Sequence, residues 1–113
     1  MKIKKATTED KRELYFLTSA PTIGKISEHK GEQIGVAGYA FYVDEQLNTE
    51  TGEMQEVEIL SIKTPEGEVF ATNSATFIRE FDKIVSMFGN NFEISIIEGT
   101  SKKGRKFVSC VLA

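Results

Sequence analysis

Residues 34–43 read IGVAGYAFYV, a stretch rich in glycine, aromatic and β-branched residues. This composition favours a strand over a helix. Alternate positions place Tyr39 and Phe41 on one face and Val36 and Tyr42 on the other, so both faces of the strand are apolar. The two glycines within the stretch predict a bulge or a sharp bend.

Downstream of this stretch, four more short apolar runs predict strands. A Thr-Pro-Glu-Gly sequence at 64–67 predicts a hairpin turn between the first two of them. The four predicted strands run from Val57 to Ile62, Val69 to Thr72, Phe92 to Ile97 and Lys106 to Leu112.

Between the second and third of these strands, the apolar spacing changes to that of a helix with one apolar face. Asn73 or Ser74 is expected to cap the start of this helix, and Gly89 stands where it should end. The apolar residues of the predicted helix are Phe77, Ile78, Phe81, Ile84, Val85 and Phe88.

Upstream of residue 34 the patterns are weaker. Residues 1–11 are predicted to be a flexible basic arm, and the apolar run from Leu14 to Leu17 is predicted to be a short extra strand. The length of 113 residues predicts one domain, 1–113.

From residue 34 onward the predicted order is three strands, a helix and two strands. That order predicts a mostly β protein built as a five-stranded Greek-key barrel of the OB type, with the amphipathic helix between the third and fourth barrel strands and an N-terminal strand in addition. The alternative is another small α+β fold, with the helix on one side of an open sheet.

Composition excludes several classes of function. A single Cys and a single His cannot form an internal disulfide framework or a four-ligand zinc site. They also leave little room for Cys–His or Ser–His catalysis. No glycine-rich phosphate loop lies between a strand and a helix. We therefore expect a binding protein with no enzymatic activity, no metal and no cofactor.

The net charge of −3 conceals a strong separation of charge along the chain. Residues 44–58 hold six carboxylates and no Lys or Arg, and they are predicted to be an acidic loop. Residues 1–12 hold five basic side chains against two acidic ones, and residues 98–106 hold four against one. Nucleic acid therefore stays a candidate partner despite the acidic total.

Residues 99–107, GTSKKGRKF, close the last predicted hairpin. Together with the hairpin turn at 64–67 and the helix, this loop resembles the small single-stranded-DNA-binding proteins of tailed bacteriophages, the type that serves protein-primed replication. The resemblance implies an OB-like fold. It also implies sequence-tolerant binding of single-stranded DNA during phage DNA replication, with replication proteins as further partners.

Single strands are held by basic groups that contact phosphates and by aromatic faces that stack on bases. Tyr39 and Phe41 share a strand face, and the Tyr hydroxyl favours contact with water. We therefore expect that face to point outward. The predicted nucleic-acid-binding residues are the aromatic Tyr39, Phe41, Phe70 and Phe107 and the basic Lys102, Lys103, Arg105 and Lys106.

Two other functions stay open. The first is a protein–protein adaptor that docks a basic partner on residues 44–58, and the second is an RNA-binding OB domain. The basic N-terminus is not followed by an apolar stretch, so no secretory signal or membrane contact is expected and the protein is predicted to be cytoplasmic. Self-association is left open.

Overall fold

The computed structural model describes residues 1–113 as a mostly β protein with two α-helices. The helices are α1 (Lys11–Thr18) and α2 (Ala75–Phe88), and a 3₁₀ turn spans Ile26–His29. The strands are β1 (Lys2–Ala6), β2 (Gly24–Lys25), β3 (Gln33–Val36), β4 (Gly38–Leu47), β5 (Met54–Lys63), β6 (Val69–Thr72), β7 (Phe92–Thr100) and β8 (Lys106–Leu112).

The strands form two sheets. The larger sheet has the order β1-β4-β5-β6-β2, and the smaller sheet has the order β3-β7-β8. Every pairing is antiparallel except that of β2 with β6. No backbone pairing joins β8 to β6 or β2, so the two sheets are not closed into the single five-stranded barrel that the element order predicts.

The glycine-rich stretch 34–43 bends more sharply than expected. It divides into β3 and β4, and the chain crosses from the smaller sheet to the larger one at Ala37. Gly38 stands at this crossing, where a Cβ atom would come within 3.0 Å of the Thr7 side-chain oxygen. The predicted bend is therefore a complete change of sheet.

Helix α2 is confirmed with its predicted ends. The side chain of Ser74 accepts a hydrogen bond from the amide of Phe77 at 3.3 Å, and Gly89 follows the last turn with a positive φ of 76°. Phe77 and Phe81 are fully buried between the sheets, because the apolar face of α2 has only this core to pack against. The four downstream strands are also confirmed, although β5 and β7 extend further than predicted.

The prediction of a strand from Leu14 to Leu17 is wrong, because this run belongs to α1. The side chain of Asp10 accepts hydrogen bonds from the amides of Arg12 and Glu13, and this cap starts a helix. The extra N-terminal strand is instead β1, which lies within the predicted arm 1–11 and pairs with β4.

Residues 44–58 form an extended hairpin, so the prediction of an acidic loop is also wrong. Strands β4 and β5 stay paired along their whole length, from Gly38 opposite Lys63 to Leu47 opposite Met54. We call residues 44–58 the acidic ribbon. Four of its six carboxylates lie on the two strands, and Glu50 and Glu53 lie in the turn at 48–53.

A second apolar cluster lies on the outer face of the larger sheet. Leu17 of α1 is buried there against Ala40 and Tyr42 of β4. The hydroxyl of Tyr42 donates a hydrogen bond to the backbone oxygen of Thr18 at 3.5 Å. Strand β4 is consequently covered on both faces, by the core on one and by α1 on the other.

Candidate nucleic-acid interface

The turn between β7 and β8 holds its cationic side chains in solvent. The backbone of Ser101 is hydrogen-bonded to that of Arg105 at 2.8 Å and to that of Gly104 at 2.9 Å, which closes a tight turn. Lys102, Lys103 and Arg105 are exposed on this turn, and none of them is in an ion pair. We call residues 101–106 the basic turn.

Lys106 differs from these three cations because a carboxylate lies beside it. Its Nζ is 3.8 Å from Oε1 of Glu98, and Nζ of Lys30 is 2.6 Å from Oε2 of the same side chain. The hydrogen bond from Lys30 is the main reason why the pKa of Glu98 is lower than usual. Glu98 therefore stays ionised and neutralises part of the positive charge at the end of the basic turn.

Phe107 lies directly after the basic turn, on the outer face of the smaller sheet. Its ring lies against Gly99 on β7, where a Cβ atom would be 2.4 Å from Cζ of Phe107. The side chain is half-buried, and Ile97 and Val111 are partly exposed on the same sheet face. Among the four predicted aromatic residues, Phe107 is the one that combines solvent access with neighbouring cations.

The expectation that Tyr39 and Phe41 face outward is wrong. They are 7% and 8% exposed, and their rings lie 5.7 and 5.9 Å from that of Phe81 in the core. Phe70 is also buried, with the ring of His29 at 4.2 Å. Because β4 is apolar on both faces, both faces are buried, one by the core and the other by α1.

Two exposed aromatic residues were missed because their segment was predicted to be a strand. Tyr15 and Phe16 on α1 are 50% and 46% exposed, with ring centroids 5.3 Å apart. The signal that could have found them is the helical spacing of Leu14 and Leu17, which turns the two residues between them away from the sheet.

Half of the basic side chains are in ion pairs. Lys4 pairs with Glu58 of the acidic ribbon, and Lys5 pairs with Asp82 of α2 at 2.7 Å. The basic side chains without a carboxylate partner are Lys2, Lys11, Arg12, Lys25, Lys102, Lys103 and Arg105. Two of the groups they form, at 11–12 and 102–105, lie next to accessible aromatic rings.

The acidic side chains, His29 and Cys110 do not form a metal-binding cluster. No three His, Cys, Asp or Glu side chains are grouped to hold a metal ion. Cys110 is buried in β8, and burial raises the pKa of its thiol to about 12. Neither helix has the length and apolar character that a membrane-spanning helix requires.

The chain is similar to a known protein family over nearly all of its length. A family model described as phage single-stranded DNA-binding protein matches residues 3–113, which is nearly the whole chain. Comparisons with curated proteins and with solved structures find no significant match.

Proposed function

The chain belongs to the phage single-stranded DNA-binding protein family, and from that premise we propose that it coats single-stranded DNA during phage replication without reading its sequence. The proposal also places it in the cytoplasm of the infected cell. The observation that carries the proposal is the basic turn, where Lys102, Lys103 and Arg105 are exposed and unpaired beside the accessible ring of Phe107.

The chemistry of this region suits a single strand. Unpaired cations bind phosphates and release counterions, whatever the sequence of the strand. An aromatic ring stacks on any base, because every base has a π face. Neither contact distinguishes one base from another, and this tolerance is what a coating protein needs.

The strand order supports an OB-type arrangement. The bent β3–β4 segment corresponds to the first strand of an OB fold, since it pairs with β5 through its β4 part and with β7 through its β3 part. β6 pairs with β5, and β8 pairs with β7. The open side lies between β6 and β8, where the Ser74 hydroxyl donates a hydrogen bond to the backbone oxygen of Val108 at 2.9 Å. In OB folds, the loop between the last two strands contributes to the binding face, and here that loop is the basic turn.

The acidic ribbon favours a second function, contact with another protein. Leu47 and Met54 face each other near its tip and are 59% and 58% exposed. Carboxylates repel phosphates, so the ribbon points to a basic protein partner, such as a replication protein. Neutralising Glu53 and Glu56 should weaken partner binding and leave the affinity for DNA unchanged or higher.

A salt titration tests the main proposal. We expect the protein to bind a fluorescein-labelled oligo-dT strand, with log affinity falling against log salt by about 0.7 per neutralised phosphate. Replacing Lys102 and Lys103 together by Ala should flatten that slope by about one unit. Fluorescence anisotropy over a series of salt concentrations measures both quantities.

The matched control replaces two cations that already have a carboxylate partner. Arg79 and Lys83 on α2 both pair with Glu80, so the double Ala variant should leave the slope unchanged. No binding of a long oligo-dT at low salt would overturn the proposal. Stronger binding of a matched oligo-U strand would favour the RNA-binding alternative.

A further inference from the structure

Helix α1 presents an aromatic pair to solvent above the larger sheet. Its inward side is anchored by Leu17, which is 1% exposed in the second apolar cluster. Tyr15 and Phe16 project away from that contact and keep about half of their surface in water. Large aromatic side chains are usually buried, so an adjacent exposed pair on one helix points to a ligand surface.

Two cations without a carboxylate partner lie on the same helix as this pair. Lys11 and Arg12 have no carboxylate partner, and the guanidinium carbon of Arg12 lies 6.0 Å from the ring centroid of Phe16. The two carboxylates of the same turn are already engaged. The side chain of Asp10 caps the helix, and Oε1 of Glu13 accepts a hydrogen bond from Lys63 at 3.2 Å.

A cleft opens beside Phe16, between α1 and the β5–β6 hairpin. Its volume is about 520 Å³, which falls within the range of small-molecule sites. Val69 and Phe70 contribute apolar walls, and Lys63 and Glu68 contribute polar groups at its edge. An aromatic ring next to a cleft of this size offers an unstacked nucleobase both a stacking face and a place to enter.

We propose that Tyr15 and Phe16 form a base-stacking subsite for single-stranded DNA, with Lys11 and Arg12 holding the flanking phosphates. The inference rests on the proposed function and adds α1 to the basic turn as a second group of DNA contacts. It assigns the stacking role to α1 in place of the buried rings of β4.

The molecule supplies a matched control at the end of α2. Phe88 is 51% exposed, as much as Tyr15, and Met87 beside it is 81% exposed. The nearest cation along that helix, Lys83, is held by Glu80 at 3.2 Å. Phe88 is therefore an exposed aromatic residue without a free cation beside it, and its removal should not affect DNA binding.

The first experiment measures affinity for fluorescein-labelled oligo-dT by anisotropy. Because stacking contributes about 1–3 kcal/mol per base, Tyr15→Ala and Phe16→Ala should each weaken binding by about 5-fold to 140-fold. Phe88→Ala should change it by less than about two-fold. Circular dichroism of each variant checks that it is folded.

The second experiment uses intrinsic fluorescence, since the protein has no Trp and its other tyrosines, Tyr39 and Tyr42, are 7% and 4% exposed. If Tyr15 stacks on a base, oligo-dT should quench the tyrosine emission of the wild-type protein. Tyr15→Phe keeps an aromatic face, so it should keep the affinity within about two-fold and lose most of the quenching.

The outcomes separate the two proposals. If the wild-type protein does not bind oligo-dT, the proposed function fails. If the wild-type protein binds and the affinities of Tyr15→Ala and Phe16→Ala stay within about two-fold of it, the inference about α1 is overturned and the proposed function stands. Unchanged quenching in Tyr15→Phe would also overturn the inference, and this readout does not depend on how well the Ala variants fold.

Discussion

Two aromatic residues of β4, Tyr39 and Phe41, lie on the opposite side of the larger sheet from the aromatic residues of α1 and have opposite surroundings. Tyr39 and Phe41 point inward and contact Phe81, whereas Tyr15 and Phe16 lie above the outer face and remain half exposed. The difference shows that the aromatic rings of β4 are used in packing. Of these four rings, the two available to a ligand are those on α1, which itself covers the sheet.

The basic side chains near these two aromatic pairs also differ, because one has a carboxylate partner and the others have none. Lys5 lies 4.9 Å from the ring centroid of Phe41 and is paired with Asp82, so this cation is engaged at the edge of the core. Lys11 and Arg12 beside the α1 aromatic residues have no such partner. An accessible ring and a free cation occur together at α1 and again at the basic turn.

The largest expected effect is on the stability of the core, to which Tyr39 and Phe41 belong. Phe41→Ala should lower the free energy of unfolding by about 3 kcal/mol, because it removes a buried ring and leaves a cavity. Urea denaturation measures the loss. The affinity of the folded fraction for oligo-dT should stay close to that of the wild-type protein. A stable Phe41→Ala protein that no longer binds DNA would reverse the comparison and make Phe41 a stacking residue.

A smaller effect is expected where Phe107 crosses Gly99. In Gly99→Ala the new methyl group would overlap the ring, so Phe107 has to move, at a cost of about 1–2 kcal/mol in stability. We also expect oligo-dT binding to weaken by about two-fold to ten-fold, since the displaced ring no longer lies beside the basic turn. Equal affinity of Gly99→Ala and wild type would remove Phe107 from the interface.

The smallest expected effect is on the pH dependence of stability and comes from the buried thiol of Cys110. Burial disfavours the thiolate, so its pKa rises from the ordinary 9.0 to about 12. The contribution of this group to the free energy of unfolding is fully present below pH 9 and is lost as the pH rises from 9 toward 12. The loss should be about 0.8 kcal/mol at pH 9.5. Denaturation of wild type and Cys110→Ala at pH 8 and pH 9.5 isolates this contribution.

The same thiol gives a direct chemical test of the core. Iodoacetamide at pH 8 should label Cys110 in denaturant and leave the native protein almost unlabelled. Rapid labelling of the native protein would show that the core around β8 opens easily, and the contrast between the core and the α1 surface would then be weaker.

Much of the fold downstream of residue 34 could be predicted from local patterns. Helix α2 followed from the spacing of its apolar residues and from a capping Ser74 and a terminating Gly89, all of which act within a few residues. The basic turn followed from its glycines and lysines. The N-terminal region could not be predicted in this way, because four apolar residues in a row fit one helical turn as well as a short strand.

The sequence by itself determined the periodicity of the elements, the separation of charge and the membership of a phage single-stranded DNA-binding family. Only the tertiary structure decided which aromatic rings meet solvent and which cations are free. Exposure of Tyr39 depends on α2 and exposure of Tyr15 on the sheet beneath α1, and both neighbours are distant in sequence. Local pattern specifies how a segment folds, whereas burial and ion pairing arise from contacts between segments, and these contacts exist only once the chain is packed.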